Sequence, residues 1–488
     1  MIHISAVNNI NFKIYTKSND VMKLIREKFT YEISKYSLKK KWYKKENPTI
    51  CIIKHNQYIP MGLLDTFTNF LYENQIEYTI DEKLLKINKI KKEVFDKFIE
   101  NINLPYELRY YQRDAILTAL KNKRLLIESK TSSGKSLMAY CIIMFYLSMN
   151  KDNKVILVVP SSGLVNQMFS DFCDYSRKND KIDIQKIFQM VHAGISKKDM
   201  EKRCIITTWQ SAHKFDESYL NRFGMVIQDE VHLAQSKSNI KLGNALLYCD
   251  YRVGMTGTLH DNNVVGNKLK NDTIIGLFGD LYTACSYRDL INMGFITDIK
   301  IHRIIFEHGE HDQMDYQEEC KCVLGKPNRL KNILKISKNL KGNGLILFRN
   351  IKYGKAIKNV IERNTDKKVL YIDGSVKAKH REEIRKYIEQ NDDCILVASF
   401  GTVSTGFSCK KLHWGMMAES MKSYIIILQS LGRLMRLHDT KQKAIIIDIV
   451  DKVDIGSYSG YLFRHGLHRL GYYNAENFEI VSTNINLS

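Results

Sequence analysis

The sequence predicts an α/β protein: a small α+β domain first, then two tandem parallel sheets with helices between their strands. Three observations carry this. From about residue 105, short apolar runs alternate with helical stretches, and strands apolar on both faces belong to parallel sheets. The same pattern starts afresh after Pro327. Finally, 488 residues at about 150 per domain are enough for about three domains.

Residues 1–95 are rich in Lys, Tyr, Ile and Asn and hold no nucleotide motif. Ile50–Ile53 reads as a strand there, and Leu63–Tyr72 and Lys92–Asn101 read as helices. Residues 96–300 carry the first series of buried strands: Leu125–Glu128, Val155–Val159, Cys204–Thr207, Met225–Asp229 and Arg252–Thr256. Residues 301–488 carry the second: Leu345–Phe348, Val369–Ile372, Cys394–Ala398, Trp414–Ala418 and Ala444–Ile449, followed by a helical tail. The stretch from about 300 to 328 reads as a linker. Leu137–Met149, the longest apolar stretch, is interrupted by Ser148 and too short for about 30 Å of hydrocarbon, so it reads as a buried helix.

Apolar residues at 44% and charged ones at 26% exclude wholesale disorder, and five prolines exclude proline-rich architectures. With 74 Lys+Arg against 53 Asp+Glu, the formal charge of +21 favours a polyanionic partner; nucleic acid and an anionic membrane are both compatible with charge alone. Ten scattered cysteines, and a start at Met1–Ser5 without a basic then apolar leader, predict an intracellular, cytoplasmic setting with no membrane partner.

The first buried run ends in Ser129-Lys130-Thr131-Ser132-Ser133-Gly134-Lys135-Ser136 and leads into a helix, the context a phosphate loop requires. Backbone N–H groups around Ser132, Ser133 and Gly134 can cradle phosphate, Lys135 can reach the β and γ oxygens, and the Ser136 hydroxyl can ligate Mg²⁺. Ser129 stands where the pattern has its first glycine, and a serine-rich turn beside a solvated lysine is the alternative. A second site favours phosphate over that turn. Met225–Asp229 is an apolar strand delivering Asp229 and Glu230 at its C-terminal end, where ligands of open α/β sheets bind. Asp229 would hold the metal and Glu230 would orient and deprotonate a water. Further on, Gln429, Arg433 and Arg436 fall at helical spacings of four and three, which predicts one shared face presenting charge to a phosphoryl group.

This ordered series resembles the superfamily 2 helicases and translocases over roughly residues 105–450. Leu108-Arg109-Tyr110-Tyr111-Gln112 resembles the adenine-reading Q motif, Ser129–Ser136 motif I, and Pro160-Ser161-Ser162 motif Ia. Thr207-Thr208-Trp209-Gln210-Ser211 resembles motif Ic, Asp229–His232 the DExH form of motif II, and Thr256-Gly257-Thr258 motif III. Ile346–Arg349 resembles motif IV, Ser399–Ser408 motif V, and Gln429–Arg436 motif VI. The resemblance implies two RecA-like domains, ATP with Mg²⁺, and a DNA helicase or translocase. It implies base contact by Arg109 and Gln112, nucleotide contact by Gly406, and coupling of hydrolysis to strand movement by His232, Thr256 and Thr258. The family has an acidic or amide residue two positions after its motif V glycine, where this chain has Ser408.

The resemblance is strongest to phage helicases of recombination and repair. It extends there to Leu164-Val165, Ile426-Ile427-Leu428-Gln429 and His465-Gly466-Leu467-His468-Arg469. It implies branched or double-stranded DNA as partner, RNA–DNA hybrids in R-loops, and association with single-stranded-DNA-binding or recombination proteins. An RNA helicase and an ATP-gated binding module are the alternatives. For the strand itself the motifs offer Pro160, Ser161, Thr207, Thr208, Ser399 and Thr402, groups that contact phosphate without reading bases. Phe348 and Trp209 are stacking candidates, with core packing as the alternative. Lys39, Lys40, Lys41, Lys44 and Lys45 surround Trp42 and Tyr43, which predicts a DNA-backbone contact in the first domain. His308, His311, Cys320 and Cys322 lack zinc-finger spacing and are not read as a metal set.

Overall fold

The computed structural model describes residues 1–33, 48–54, 56–85, 88–192, 200–404, 407, 409–456 and 458–487. It divides into two compact units: Met1–Ser129 with Gly134–Cys285, and Lys130–Ser133 with Ser286–Ser488.

The first unit begins with strands β1 (Ile2–Ala6) and β2 (Asn11–Tyr15), which pair antiparallel. Ile2, Ile4, Phe12 and Ile14 alternate inward at period two and meet Phe67 and Leu71 of the helix Leu64–Glu73. β3 (Thr30–Glu32) and β4 (Thr49–Cys51) form a separate antiparallel pair. β5 (Tyr58–Pro60) and β6 (Tyr78–Ile80) complete a four-stranded sheet in the order β5-β2-β1-β6. This small domain is locked onto the helix Asn267–Phe278. Leu269 and Ile275 join its core, Tyr31 donates a hydrogen bond to Asp272 at 2.5 Å, and a Cβ on Gly62 would run into the carbonyl of Ile275. The expected boundary at 95/96 falls inside the helix Lys92–Ile102, whose Phe95 and Ile102 belong to the next core.

That next sheet contains β7 (Arg124–Ser129), β8 (Val155–Val159), β9 (Phe188–Val191), β10 (Cys204–Thr208), β11 (Met225–Asp229), β12 (Tyr251–Thr256) and β13 (Leu281–Cys285). Their order is β13-β7-β12-β11-β8-β10-β9, every pairing parallel. The five expected strands are present, and β9 and β13 are added at the edges. The apolar stretch after the phosphate loop is the helix Lys135–Met149, buried continuously from Leu137 to Leu147. Among the described residues no helix is long and apolar enough to cross a membrane.

In the second unit, β14 (Asp298–Glu310), β15 (Gly344–Phe348), β16 (Val369–Ile372), β17 (Ile395–Ser399), β18 (Trp414–Met417), β19 (Lys443–Ile455), β20 (Tyr458–Ser459) and β21 (Glu479–Asn486) build one sheet. Its order is β16-β17-β15-β18-β19-β14-β21, parallel, with β20 antiparallel on β19. The expected linker at 300–328 is overturned here. β14 pairs with β19 from Asp298–Lys443 to Glu310–Asp454, and the helix Tyr316–Leu324 follows. Charged and histidine residues break the apolar run of β14 (Lys300, His302, Arg303, His308), which hid an inner strand. Pro327 opens the helix Pro327–Asn339 at a position where its missing N–H costs nothing. The tail is a helix, Tyr461–Ala475, plus a strand, β21.

Buried ion pairs tie this sheet to its helices. Arg329 donates to both oxygens of Asp451 at 2.8 and 2.7 Å and to the Ala418 carbonyl at 2.7 Å, while His308 Nε2 lies 2.9 Å from the same aspartate. Arg469 donates to Asp448 at 2.8 Å and to the carbonyls of Ile449 and Met421.

Candidate active site and nucleic-acid edge

The strand ends of the first unit's parallel sheet gather the expected ATP residues. β7 stops at Ser129 and the chain turns through Ser132 (φ +70°) and Gly134 (φ +86°) before the helix begins at Lys135. Glycine is required at 134 by its left-handed backbone and by space, since a Cβ there would strike the side-chain amide of Gln112. Gln112 is thereby set against the loop, its Oε1 accepting the Arg109 N–H at 3.0 Å. Arg109 in turn donates to the Tyr111 hydroxyl at 2.8 Å. Lys135 donates to the Ser129 carbonyl at 2.9 Å, so its ammonium lies folded over the loop it serves.

At the end of β11, Asp229 is 9% exposed and its Oδ1 has no hydrogen-bond partner. Burial, and then the like charge of Glu230, push its carboxyl well above the ordinary range, while Lys135 opposes them. A buried carboxylate oxygen without a donor suits a hard cation, so the residues present fit Mg²⁺ at Asp229. Glu230 holds a left-handed backbone (φ +50°), a strained conformation for a non-glycine residue. His232 Nδ1 lies 3.2 Å from Glu230 and 3.2 Å from the Thr256 hydroxyl, which donates to the Thr258 carbonyl at 2.9 Å. The three expected coupling residues therefore form one connected network.

Sequence reasoning missed its continuation. His260 Nε2 sits 3.1 Å from the His232 carbonyl, and burial pushes that imidazole down to about 4. Asn271 brackets the His260 backbone, accepting its N–H at 3.1 Å and donating to its carbonyl at 2.8 Å. Asn271 precedes Asp272, the residue that receives Tyr31. Tyr175 was missed too: its hydroxyl lies 2.7 Å from that of Ser136. Asp171, raised by burial and hydrogen-bonded to Ser136, accompanies it. Tyr175 and Asp171 lie one helix away from the loop in sequence, with no local motif to mark them.

The nucleic-acid candidates divide. Ser161 caps the helix Ser162–Ser176 after the half-buried Pro160, its hydroxyl accepting the Leu164 N–H at 3.4 Å. Ser399 and Thr402 share a hydroxyl contact at 2.7 Å at the end of β17, and Thr208 caps the short helix after β10. Two expectations are corrected. Thr207 is fully buried and donates to the Val191 carbonyl at 2.7 Å, so its hydroxyl faces the sheet interior. Phe348 is fully buried and stacked on Tyr371 at 5.4 Å, so it is core. Trp209 is half-buried, edge-on to His213. Lys39, Lys40, Lys41 and Lys44, and Gly406 at the nucleotide, lie outside the described residues.

In the second unit Gln429 and Arg433 lie on the helix Tyr424–Leu434, and Arg433 donates to the Phe407 carbonyl. The expected single helical face for all three residues is corrected at its end, because the helix stops before Met435 and Arg436 follows its cap. The turn is held by Thr297, whose N–H bonds the Met435 carbonyl at 2.7 Å. Among the described residues no group of three metal-ligating side chains exists, and His308 serves Asp451.

Comparison with known proteins follows the same order along the chain. Residues 105–261 match the family described as type III restriction enzyme, res subunit, and residues 325–438 match the helicase conserved C-terminal domain. The chain is 29% identical over 490 residues to the ATP-dependent DNA helicase uvsW of Enterobacteria phage T4, covering 95% of each protein. It is 24% identical to putative helicase 161L of Invertebrate iridescent virus 6 over 361 residues, 70% of this chain and 75% of that one. The crystal structure of T4 UvsW aligns over all of both chains with a TM-score of 0.51 and 27% identity. Yeast Dbp5 bound to RNA and ADP BeF3 aligns with 82% of this chain and 94% of its own at a TM-score of 0.53, and at 12% identity this shows shared fold alone. The two matched halves coincide with the phosphate loop and the arginine helix, and the chain belongs to superfamily 2 of the helicases, as an ATP-driven nucleic-acid helicase of the UvsW type.

Proposed function

We propose that the chain is a DNA helicase or translocase that remodels branched DNA in recombination, repair and replication: regressing forks, migrating four-way junctions and unwinding R-loops and D-loops. The observation that carries this reading is the near-complete match to T4 UvsW, a DNA helicase, because it includes the small first domain as well as the two parallel sheets. The +21 charge supports a polyanionic substrate.

In this reading Gln112 and Arg109 hold the base of ATP, and the backbone at Ser132–Gly134 holds the β-phosphate. Lys135 leaves the Ser129 carbonyl for the phosphate oxygens. Asp229 and the Ser136 hydroxyl hold Mg²⁺, which supplies charge neutralisation on the phosphates when bound. Glu230 orients the attacking water and accepts its proton, with the carboxylate held by His232. Arg433 and Arg436 neutralise charge on the transferring phosphoryl group. His232, Thr256 and Thr258 carry the change at Glu230 into the segment that leads to His260 and Asn271. The test is the ATPase rate with no polynucleotide, single-stranded DNA, linear duplex, a four-way junction and RNA. Strongest stimulation by the junction is the expected outcome. Stimulation chiefly by RNA keeps the ATP site and replaces the substrate.

A further inference from the structure

We infer that a cavity in the second unit holds one unstacked nucleotide of the strand on which the enzyme works, an inference that rests on the helicase reading above. The cavity measures about 650 Å³ and is lined by Tyr316, Lys321, Arg349, Lys352 and Glu419 among others. It opens beyond the C-terminal ends of β15 and β18, the edge at which parallel sheets bind ligands. Its size falls in the roughly 300–1,000 Å³ range of small-ligand pockets, room for a single nucleotide rather than a stacked pair.

The charge of the cavity selects an anion. Its acidic groups already have partners within the protein: one Asn350 N–H is shared by both oxygens of Glu419, at 3.0 and 3.1 Å, and Asp451 is held by Arg329 through both oxygens. Among the described residues, Lys321, Arg349 and Lys352 form no ion pair with a carboxylate, and all three are exposed. His465 lies beside this cavity, against Tyr316. Burial, followed by Lys422, Arg469, His468 and Arg349, pushes its imidazole down to about 4.

The walls select an aromatic ligand as well. Tyr316 is half-buried, Arg349 donates to its hydroxyl at 2.7 Å, and the His465 ring lies 5.4 Å from it. His465 is itself fixed by the Ser420 hydroxyl at 2.9 Å. A positioned ring beside cations that have no carboxylate partner matches a base with its phosphate. A base can enter such a cavity only after leaving its stack, a state that duplex resists and a strand at a branch point offers.

An abasic-site scan of full-length protein tests this, read by fluorescence anisotropy with short single strands that lack one base at successive positions. Wild-type protein should lose about tenfold in affinity at one position and little elsewhere. Tyr316→Phe should keep that dependence on position, and Tyr316→Ala should erase it, with a thermal melt showing both variants folded. Lys321→Ala and Lys352→Ala should each reduce the slope of log affinity against log salt by about 0.7. A flat scan in wild-type protein that binds the intact strand overturns the nucleotide site and leaves the helicase reading standing. Failure to bind any strand overturns the helicase reading. A free nucleoside monophosphate that binds wild-type but not Tyr316→Ala protein, with a flat scan, overturns the strand as occupant.

Discussion

Asp229 and Asp451 lie in comparable places, each buried in an inner strand of a parallel sheet, yet their environments differ in kind. Asp229 keeps an oxygen with no partner and has Glu230 beside it, so burial and like charge drive its carboxyl upward. Burial would do the same to Asp451, but the Arg329 guanidinium and the His308 imidazole hold it down to about 2. A buried carboxylate oxygen without a donor is a cost that folding alone does not repay, whereas a fully paired carboxylate is a fixed part of the core. The first unit thus keeps an unsatisfied anion where a cation and phosphates bind; the second satisfies its anion and gains a rigid attachment between β19, β18 and the helix Pro327–Asn339.

The largest expected effect is catalytic. Glu230→Gln should lower kcat by about 10²–10⁴ while ATP still binds, and Lys135→Ala should abolish turnover. Ordinary hydrolysis in either variant would remove the phosphate site from the first unit and break the comparison. Next comes the core. Arg329→Met leaves Asp451 buried without its guanidinium and with only His308 beside it, which should lower stability by about 3–5 kcal/mol in a urea titration. A double substitution that also makes Asp451→Leu should recover much of that loss. If the single variant melts like the wild type, Asp451 is not a structural ion pair.

Asp229→Asn should behave oppositely: turnover lost, stability unchanged or raised by about 1 kcal/mol at neutral pH. A marked loss of stability would show that Asp229 is held by groups other than those seen here. The pH dependence sharpens the contrast. The carboxyl of Asp229 is raised on folding, so its contribution is present below the ordinary value of about 3.9 and is lost as pH rises through the raised value. For Asp451 the folded value is depressed, so its contribution is present above about 3.9 and is lost as pH falls toward about 2. Melts of wild-type and Asp229→Asn protein should therefore converge near pH 4 and separate near pH 8, with the variant the more stable. The smallest effect is at the docked first domain, where Tyr31→Phe removes the bond to Asp272 and should cost about 1–2 kcal/mol. A melt within 0.5 kcal/mol of wild type, on the same order-of-magnitude scale, would show that Gly62 and the apolar contacts alone hold that domain.

Much of the engine could be read without coordinates because local chemistry defines it. The phosphate loop needs small residues and a lysine between a strand and a helix. The DExH strand needs an apolar run ending in two carboxylates, and buried parallel strands announce themselves as continuous apolar stretches. These features depend on neighbours in sequence, so Ser129–Ser136, Asp229–His232 and ten strands were legible. The remainder depends on what distant segments bring. β14 alternates charged with apolar residues because Arg303 and His308 find aspartates on β19, a pairing across more than a hundred residues that no local pattern records. Thr207 and Phe348 sit at motif positions, but the sheet's fold turns them inward. Tyr175, His260 and Asn271 acquire their place only when helices pack against strand ends. By itself the sequence determined where phosphate chemistry could occur, since that chemistry is written within a few residues. Tertiary structure decided which polar groups remain unsatisfied for ligands and which are paired away in the core, because partners for buried charges come from far along the chain.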